Sequence, residues 1–216
     1  PSAPPSGRAM GQVSLMSPVG MMVALIVTNL LNFVDRGIIP GANNEFLAFI
    51  ERTQDDNPSL YLGLLQSSFI VGYSISSLWF ARMVHRIAPF SIVALGVGVW
   101  IGACILAALS FYVDSFAALV LARVLSGVGE AALLIISPPF ILEHAGASSG
   151  RWIAGFYLAC SVGTAVGYVF GAEVAASPLR WPGAFLVEAA AAVPLLLFFL
   201  RASRRYPCKA AEPAAA

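Results

Sequence analysis

Two ionisable side chains sit where an apolar helix tolerates them least. The run from Leu121 to Ile136, LARVLSGVGEAALLII, carries Arg123 and Glu130 in its interior. A charged side chain near the middle of a membrane-spanning helix costs about 2.5 to 3.5 kcal/mol to insert, and each Leu, Ile, Val or Phe offsets about 0.3 to 0.6. The eleven such residues between Phe116 and Ile136 return roughly 5 kcal/mol against roughly 6 for the two charges. The segment breaks even at best. Seven residues make almost two helical turns, so Arg123, Gly127 and Glu130 share one stripe, a polar face notched by glycine. Such a face is stable only against other helices or a water-filled cavity.

A second charged group closes the first apolar run, which ends Asn29-Leu-Leu-Asn32-Phe-Val-Asp35-Arg36. Asp35 lies about 25 Å along a helix begun at Pro18, and Arg123 lies about 10 Å in from the start of its own segment. If the two segments cross in opposite directions, the carboxylate and the guanidinium sit at one depth and are expected to pair. Arg123 and Glu130 are about 10 Å apart along one axis, so a direct bond between them would be strained.

Two readings of these groups stand. Loss of water disfavours an ionised Glu130 and a nearby guanidinium favours it, so its proton occupancy would follow the helix arrangement, as a proton-coupled carrier needs. The alternative is a static ion pair that fixes helix register, and the same choice applies to Asp35. Arg123 either neutralises Asp35 or receives an anionic group through its planar fork. Arg36 either snorkels to the nearby interface or joins the functional set. Glu188, inside LVEAAAAV, has no partner in the sequence; it reaches the interface or a further set of helices. His85 and His144 fall at segment ends and read as solvated.

The elements that must hold these groups follow from composition. The chain has 216 residues, 59% hydrophobic and 11% charged, against about 25% charged in a soluble domain. It reads as an all-α membrane protein. Six stretches match the roughly 20 apolar residues that a span requires: 18–39, 60–81, 90–111, 116–140, 152–173 and 182–200. Residues 1–17 read as a disordered end and 201–216 as a tail, and 40–59 is the one long connection. Lys and Arg favour the cytoplasmic flanks. Arg8, Arg82, Arg86, Arg151, Arg201, Arg204, Arg205 and Lys209 fall on one side, and only Arg36, Arg52 and Arg180 on the other. Both termini are therefore expected in the cytoplasm. Trp79, Trp152 and Trp181 fall near expected interfaces, where aromatic belts form.

The fifth span carries Gly163, Gly167 and Gly171 at a four-residue period, a bulk-free side on which another helix can pack closely. Gly127 and Gly129, and Gly96, Gly98 and Gly102, receive the same reading. The scattered basic residues argue against nucleic acid. Cys104, Cys160 and Cys208 show neither zinc nor disulfide spacing. No Ser–His pair at depth, no acidic metal motif and no phosphate-cradling loop is present, so no enzyme, metal or cofactor is expected.

Taken together, the motifs resemble the amino-terminal half of a major facilitator superfamily transporter of the Spinster-like branch, over Thr28 to Leu200. Asn32-Phe33-Val34-Asp35-Arg36 is similar to the family's N-Y-x-D-R, and Arg123-Val-Leu-Ser-Gly127-Val-Gly129-Glu130 to its R-x-x-x-G-x-G-E. Phe156-Tyr157, Val162-Gly163 and Gly167-Tyr168 fit as well. The resemblance implies a half-bundle of two inverted three-helix repeats, with a site between two such halves. It implies that Asp35, Arg123 and Glu130 serve coupling and substrate handling, that the substrate is a lysophospholipid or sphingoid phosphate, and that the membrane is lysosomal or at the cell surface. The loop Ala81-Arg-Met-Val-His85-Arg86-Ile-Ala-Pro89-Phe departs from the family's G-x-x-x-D-R-x-G-R-R and keeps only the Arg86 position. The length matches one half, so the expected partners are the bilayer, a small-molecule or lipid substrate, and a C-terminal six-helix half or a second copy. The alternatives are a facilitator for another organic solute and a truncated, non-transporting six-span protein.

Overall fold

Four of the helices start on a local signal in the sequence. Ser17 accepts a hydrogen bond from the Gly20 amide at 3.2 Å, with Pro18 in the first turn, and Ser115 accepts one from the Ala118 amide at 3.3 Å. Proline likewise opens the helices at Pro58 and Pro89, where its missing N–H costs nothing. The computed structural model describes residues 17–54, 57–84 and 86–205. The terminal readings that involve Arg8, Cys208 and Lys209, and the one on His85, lie outside the described residues.

Among the described residues the chain forms seven α-helices: α1 Pro18–Gly41, α2 Asn43–Thr53, α3 Pro58–Met83, α4 Pro89–Tyr112, α5 Phe116–His144, α6 Ser149–Ala176 and α7 Arg180–Ser203. All but α2 are long and apolar enough to cross a membrane. The helices overrun the predicted apolar limits. α1 continues past Pro40, and α5 past Pro138 and Pro139 to His144, because a proline near a C-terminal end removes only one rung of an already formed ladder.

The one long connection, 40–59, contains α2. Its Phe46, Phe49 and Ile50 are buried on one face, the i, i+3, i+4 pattern of an amphipathic helix. They pack into an aromatic cluster at one end of the bundle, with the Phe46 and Trp181 rings 4.6 Å apart and the Phe111 and Trp181 rings 5.4 Å apart. Ion pairs from Arg52 to Asp114 and from Arg180 to Glu45, the latter at 2.7 Å, fasten the other edge of α2 to the helix ends. Trp181, in the first turn of α7, is thus fully buried beneath α2.

α1 packs along α6, α3 along α5, and α4 against both α5 and α7. If α1, α3 and α4 are exchanged with α5, α6 and α7, the α1–α6 contact maps onto the α5–α3 contact. Three crossings reverse the chain, so the two triplets are inverted with respect to each other.

Glycine sets the closeness of these contacts. A Cβ on Gly163 or Gly171 would lie 2.5 Å from the Leu30 carbonyl oxygen or 2.7 Å from that of Ile38, and one on Gly167 would meet the Val34 backbone. Gly127 faces the backbone of Phe69 on α3, and Gly129 faces Gly96 and Trp100 on α4. Gly102 has open space beside it, and Gly98 meets only Leu196 at 3.9 Å. The packing expected of those two is not found, because they face away from the contact that Gly96 makes.

Gly167→Ala is expected to destabilise the protein by about 1 to 3 kcal/mol through overpacking. Gly102→Ala should be neutral, or gain up to about 1 kcal/mol of helix propensity. Thermal unfolding of both variants in one detergent checks this, and equal midpoints for Gly167→Ala and the parent would remove the packing role.

Candidate functional site

The charged stripe of α5 and the end of α1 meet across the bundle. Arg123 Nη1 donates to Asp35 Oδ2 at 2.7 Å, with side chains 4% and 1% exposed. The carboxylate and guanidinium lie at one depth, as their distances along the two helices require. Charges this deep are tolerated only as partners, since removing either from water costs several kcal/mol.

A second bridge crosses the same gap. Arg36 donates from Nε to Glu130 Oε2 at 3.0 Å and from Nη2 to Oε1 at 2.6 Å. This is the two-pronged fork that a planar guanidinium makes with a carboxylate. Glu130 is buried, and Arg36 is 34% exposed. Arg36 therefore turns into the bundle, not out to the interface. Rise along the helix axis is a poor guide here, because an arginine side chain extends over more than one turn. α1 thus offers an acid then a base, α5 a base then an acid, and the two helices are joined twice.

Aromatic rings hold both guanidinium groups. Arg36 Cζ lies 4.5 Å from the Phe69 ring centre and 4.6 Å from that of Phe33, and Arg123 Cζ lies 5.1 Å from Phe69. Phe69 of α3 therefore touches both cations, within the range of cation–π attraction. Beside them is a cavity of about 130 Å³ lined by Arg36, Ile39, Gln66, Phe69, Ile70 and Arg123. Its donors are two guanidinium groups and an amide; its walls are apolar. Such a lining suits a small anionic group carried on an apolar body.

Glu188 of α7, which the sequence leaves without a partner, is 2% exposed. It comes together with Asp35 of α1 and Cys104 of α4, whose oxygen and sulfur atoms lie within 4.8 Å of one another and of a Glu188 oxygen. The lone acid in the middle of α7 was the available signal, but its neighbours lie on helices that no periodicity links to it. These donors do not make a metal centre. Asp35 is already committed to Arg123, whose fixed positive charge opposes a divalent ion at that spot. His144 stacks on Phe140 at the far end of α5. On the α6 side, Asn29 donates from Nδ2 to the Phe156 carbonyl at 2.8 Å and to Cys160 Sγ at 3.3 Å, pinning α1.

The sequence pattern of the Major Facilitator Superfamily matches residues 25–215. The chain is 32% identical to the "Probable sphingolipid transporter spinster homolog 2" of Arabidopsis thaliana, over 84% of this chain and 39% of that protein. It is 29% identical to "Protein spinster" of Drosophila melanogaster, over 84% of this chain and 29% of that one. A crystal structure of a bacterial homolog to the human lysosomal transporter Spinster, inward-facing and unoccupied, aligns with 95% of this chain and 47% of its own, with a TM-score of 0.74 at 20% identity. That likeness shows a shared fold. The chain spans about two fifths of the length of the first of these relatives.

Truncating Arg123 to alanine leaves Asp35 charged and unpaired, and is expected to cost about 3 to 5 kcal/mol. The double variant Asp35→Asn with Arg123→Gln should recover part of that loss, because no lone charge remains. Unfolding midpoints of the single and double variants in detergent decide it; a single variant as stable as the parent would mean that the bridge contributes nothing.

Proposed function

Because this chain belongs to the major facilitator superfamily, we propose that it forms one six-helix half of a Spinster-type secondary transporter, which carries a lipid-like anion or zwitterion by alternating access and couples it to protons through Glu130 and Asp35. The observation that carries this reading is the fork between Arg36 and Glu130 at the edge of a cavity lined by Arg36 and Arg123. One cation serves two acceptors, only one of which belongs to the protein.

The chemistry follows from that sharing. While Glu130 is ionised it accepts both prongs of Arg36. A proton on Glu130 removes the charge that held the fork, and Arg36 is then free to donate to an anionic group in the cavity. Proton binding and anion binding therefore favour each other through one side chain, which is the reciprocal coupling of linked sites. Arg123 stays tied to Asp35 and supplies a fixed positive wall, and Phe69 supplies an apolar surface for the rest of the substrate.

A lysophospholipid or a sphingoid phosphate has both parts, a phosphate and an acyl or alkyl body, and sphingolipid transport is what the names of the plant relatives state for those proteins. Another organic anion with an apolar body remains the second reading, because the cavity specifies charge and polarity and not chain length. A non-transporting six-span protein is not favoured by the family match or by the retained charge network. The proposed partner is a second six-helix half, or a second copy, that closes the other side of the pathway. Both termini are proposed to lie in the cytoplasm, with α2 on the opposite side of an integral, multi-pass membrane protein.

Glu130→Gln is expected to reduce uptake driven by a pH gradient about 5- to 150-fold, the usual span of such coupling, while substrate exchange at equal pH changes little. Parallel uptake assays in reconstituted vesicles measure both rates, and undiminished pH-driven uptake in the variant would take Glu130 out of the coupling role.

A further inference from the structure

The α1–α4–α7 cluster has polar atoms that the two ion pairs leave unanswered. Among the described residues, both carboxylate oxygens of Glu188 and Oδ1 of Asp35 are buried with no hydrogen-bond partner, while Asp35 Oδ2 is held by Arg123. One oxygen of each acid and the Cys104 sulfur lie within 4.8 Å of one another. Two ionised carboxylates this close, away from water, repel strongly.

Among the described residues, the charged and titratable groups that face Glu188 are few. They are Asp35 from α1, Cys104 from α4 and Arg123 from α5. Glu173 of α6 is exposed, Glu45 of α2 is bound to Arg180, and Arg36 is spent on Glu130. Three buried acids, Asp35, Glu130 and Glu188, thus share two arginines, Arg36 and Arg123. One acid is left over, and it is the one with both oxygens bare.

We propose that Glu188 and Asp35 form a carboxyl–carboxylate pair that holds one proton between them, a proton site separate from Glu130. The O–H of Glu188 donates to Asp35 Oδ1, the lone pair that Arg123 leaves open. The pair is built from α1 and α7, and Arg123 comes from α5. Any movement of α5 against those two helices changes the positive charge beside the proton and therefore how firmly it is held. The use of this proton in transport rests on the carrier reading above; its presence does not.

Infrared difference spectroscopy of the reconstituted protein tests for it directly. At neutral pH the parent should show the carbonyl stretch of a buried protonated carboxyl. That band is expected to be lost in Glu188→Gln, shifted in Asp35→Asn and unchanged in Glu130→Gln. Absence of the band in the parent, or its survival in Glu188→Gln, would overturn the proposal. So would its removal by sodium ions at constant pH, which would make the cluster a cation site. Where Glu188→Gln fails to fold, Glu188→Asp keeps the acid and moves it, and an unshifted band in that variant counts equally against the pair. Transport measurements on Glu130→Gln leave this assignment untouched, so the two ideas fail separately.

Discussion

A guanidinium held in an apolar interior must be met by a carboxylate at its own depth, and the arrangement of α1 and α5 follows from that need. Arg123 is 3% exposed and Asp35 is 1% exposed. Together they fix the height of one helix against the other. The second bridge, from Arg36 to Glu130, fixes the rotation, because two bonds in different directions leave no free turn about either axis. Yet α1 and α5 share little backbone contact; α1 leans on α6, and α5 on α3 and α4. Between the α1–α6 pair and the α3–α5 pair, long charged side chains reach across, with Phe69 touching both cations.

That division has a mechanical meaning. Within the α1–α6 and α3–α5 pairs, glycine brings backbone against backbone, and close packing of this kind has no second arrangement nearby. Across the gap, the contacts are salt bridges at the edge of a cavity, whose strength changes with protonation, hydration and ligand. Tight pairs joined by adjustable bonds are the parts that a rocking carrier would need under the proposed reading. The α2 cluster ties the adjoining ends of α4 and α7 together with aromatic packing and two ion pairs.

Much of this was legible in the residues. Apolar runs placed the six crossing helices, and counting along α1 and α5 placed Asp35 beside Arg123. The period of Gly163, Gly167 and Gly171 gave a packing face without saying which helix it meets. What stayed hidden was set by reach and by the third dimension. Arg36 was left open between the interface and the charged set, because axial distance ignores the length of an arginine. α2 was hidden by the charges of a connecting segment, although Phe46, Phe49 and Ile50 already had helical spacing, and the burial of Trp181 could not be read without α2. Glu188 meets groups on two other helices, and that neighbourhood exists only once the helices are arranged. Gly98 and Gly102 show the converse error, since a glycine in a span does not by itself say that another helix is near.

Charge balance carries the proposed chemistry one step further. Asp35, Glu130 and Glu188 face Arg36 and Arg123 within one buried region, so the protein's own groups carry one negative charge more than they neutralise. In a medium of low dielectric such an excess is costly, and a bound proton removes it. An anionic headgroup entering beside Arg36 and Arg123 adds negative charge to the same region. The cheapest compensation is a further proton on Asp35 or Glu130, whichever is nearer to releasing its arginine. On this reading the sign of coupling does not depend on which acid responds. Anion and proton favour each other's presence and would leave together, because the same two cations must answer both.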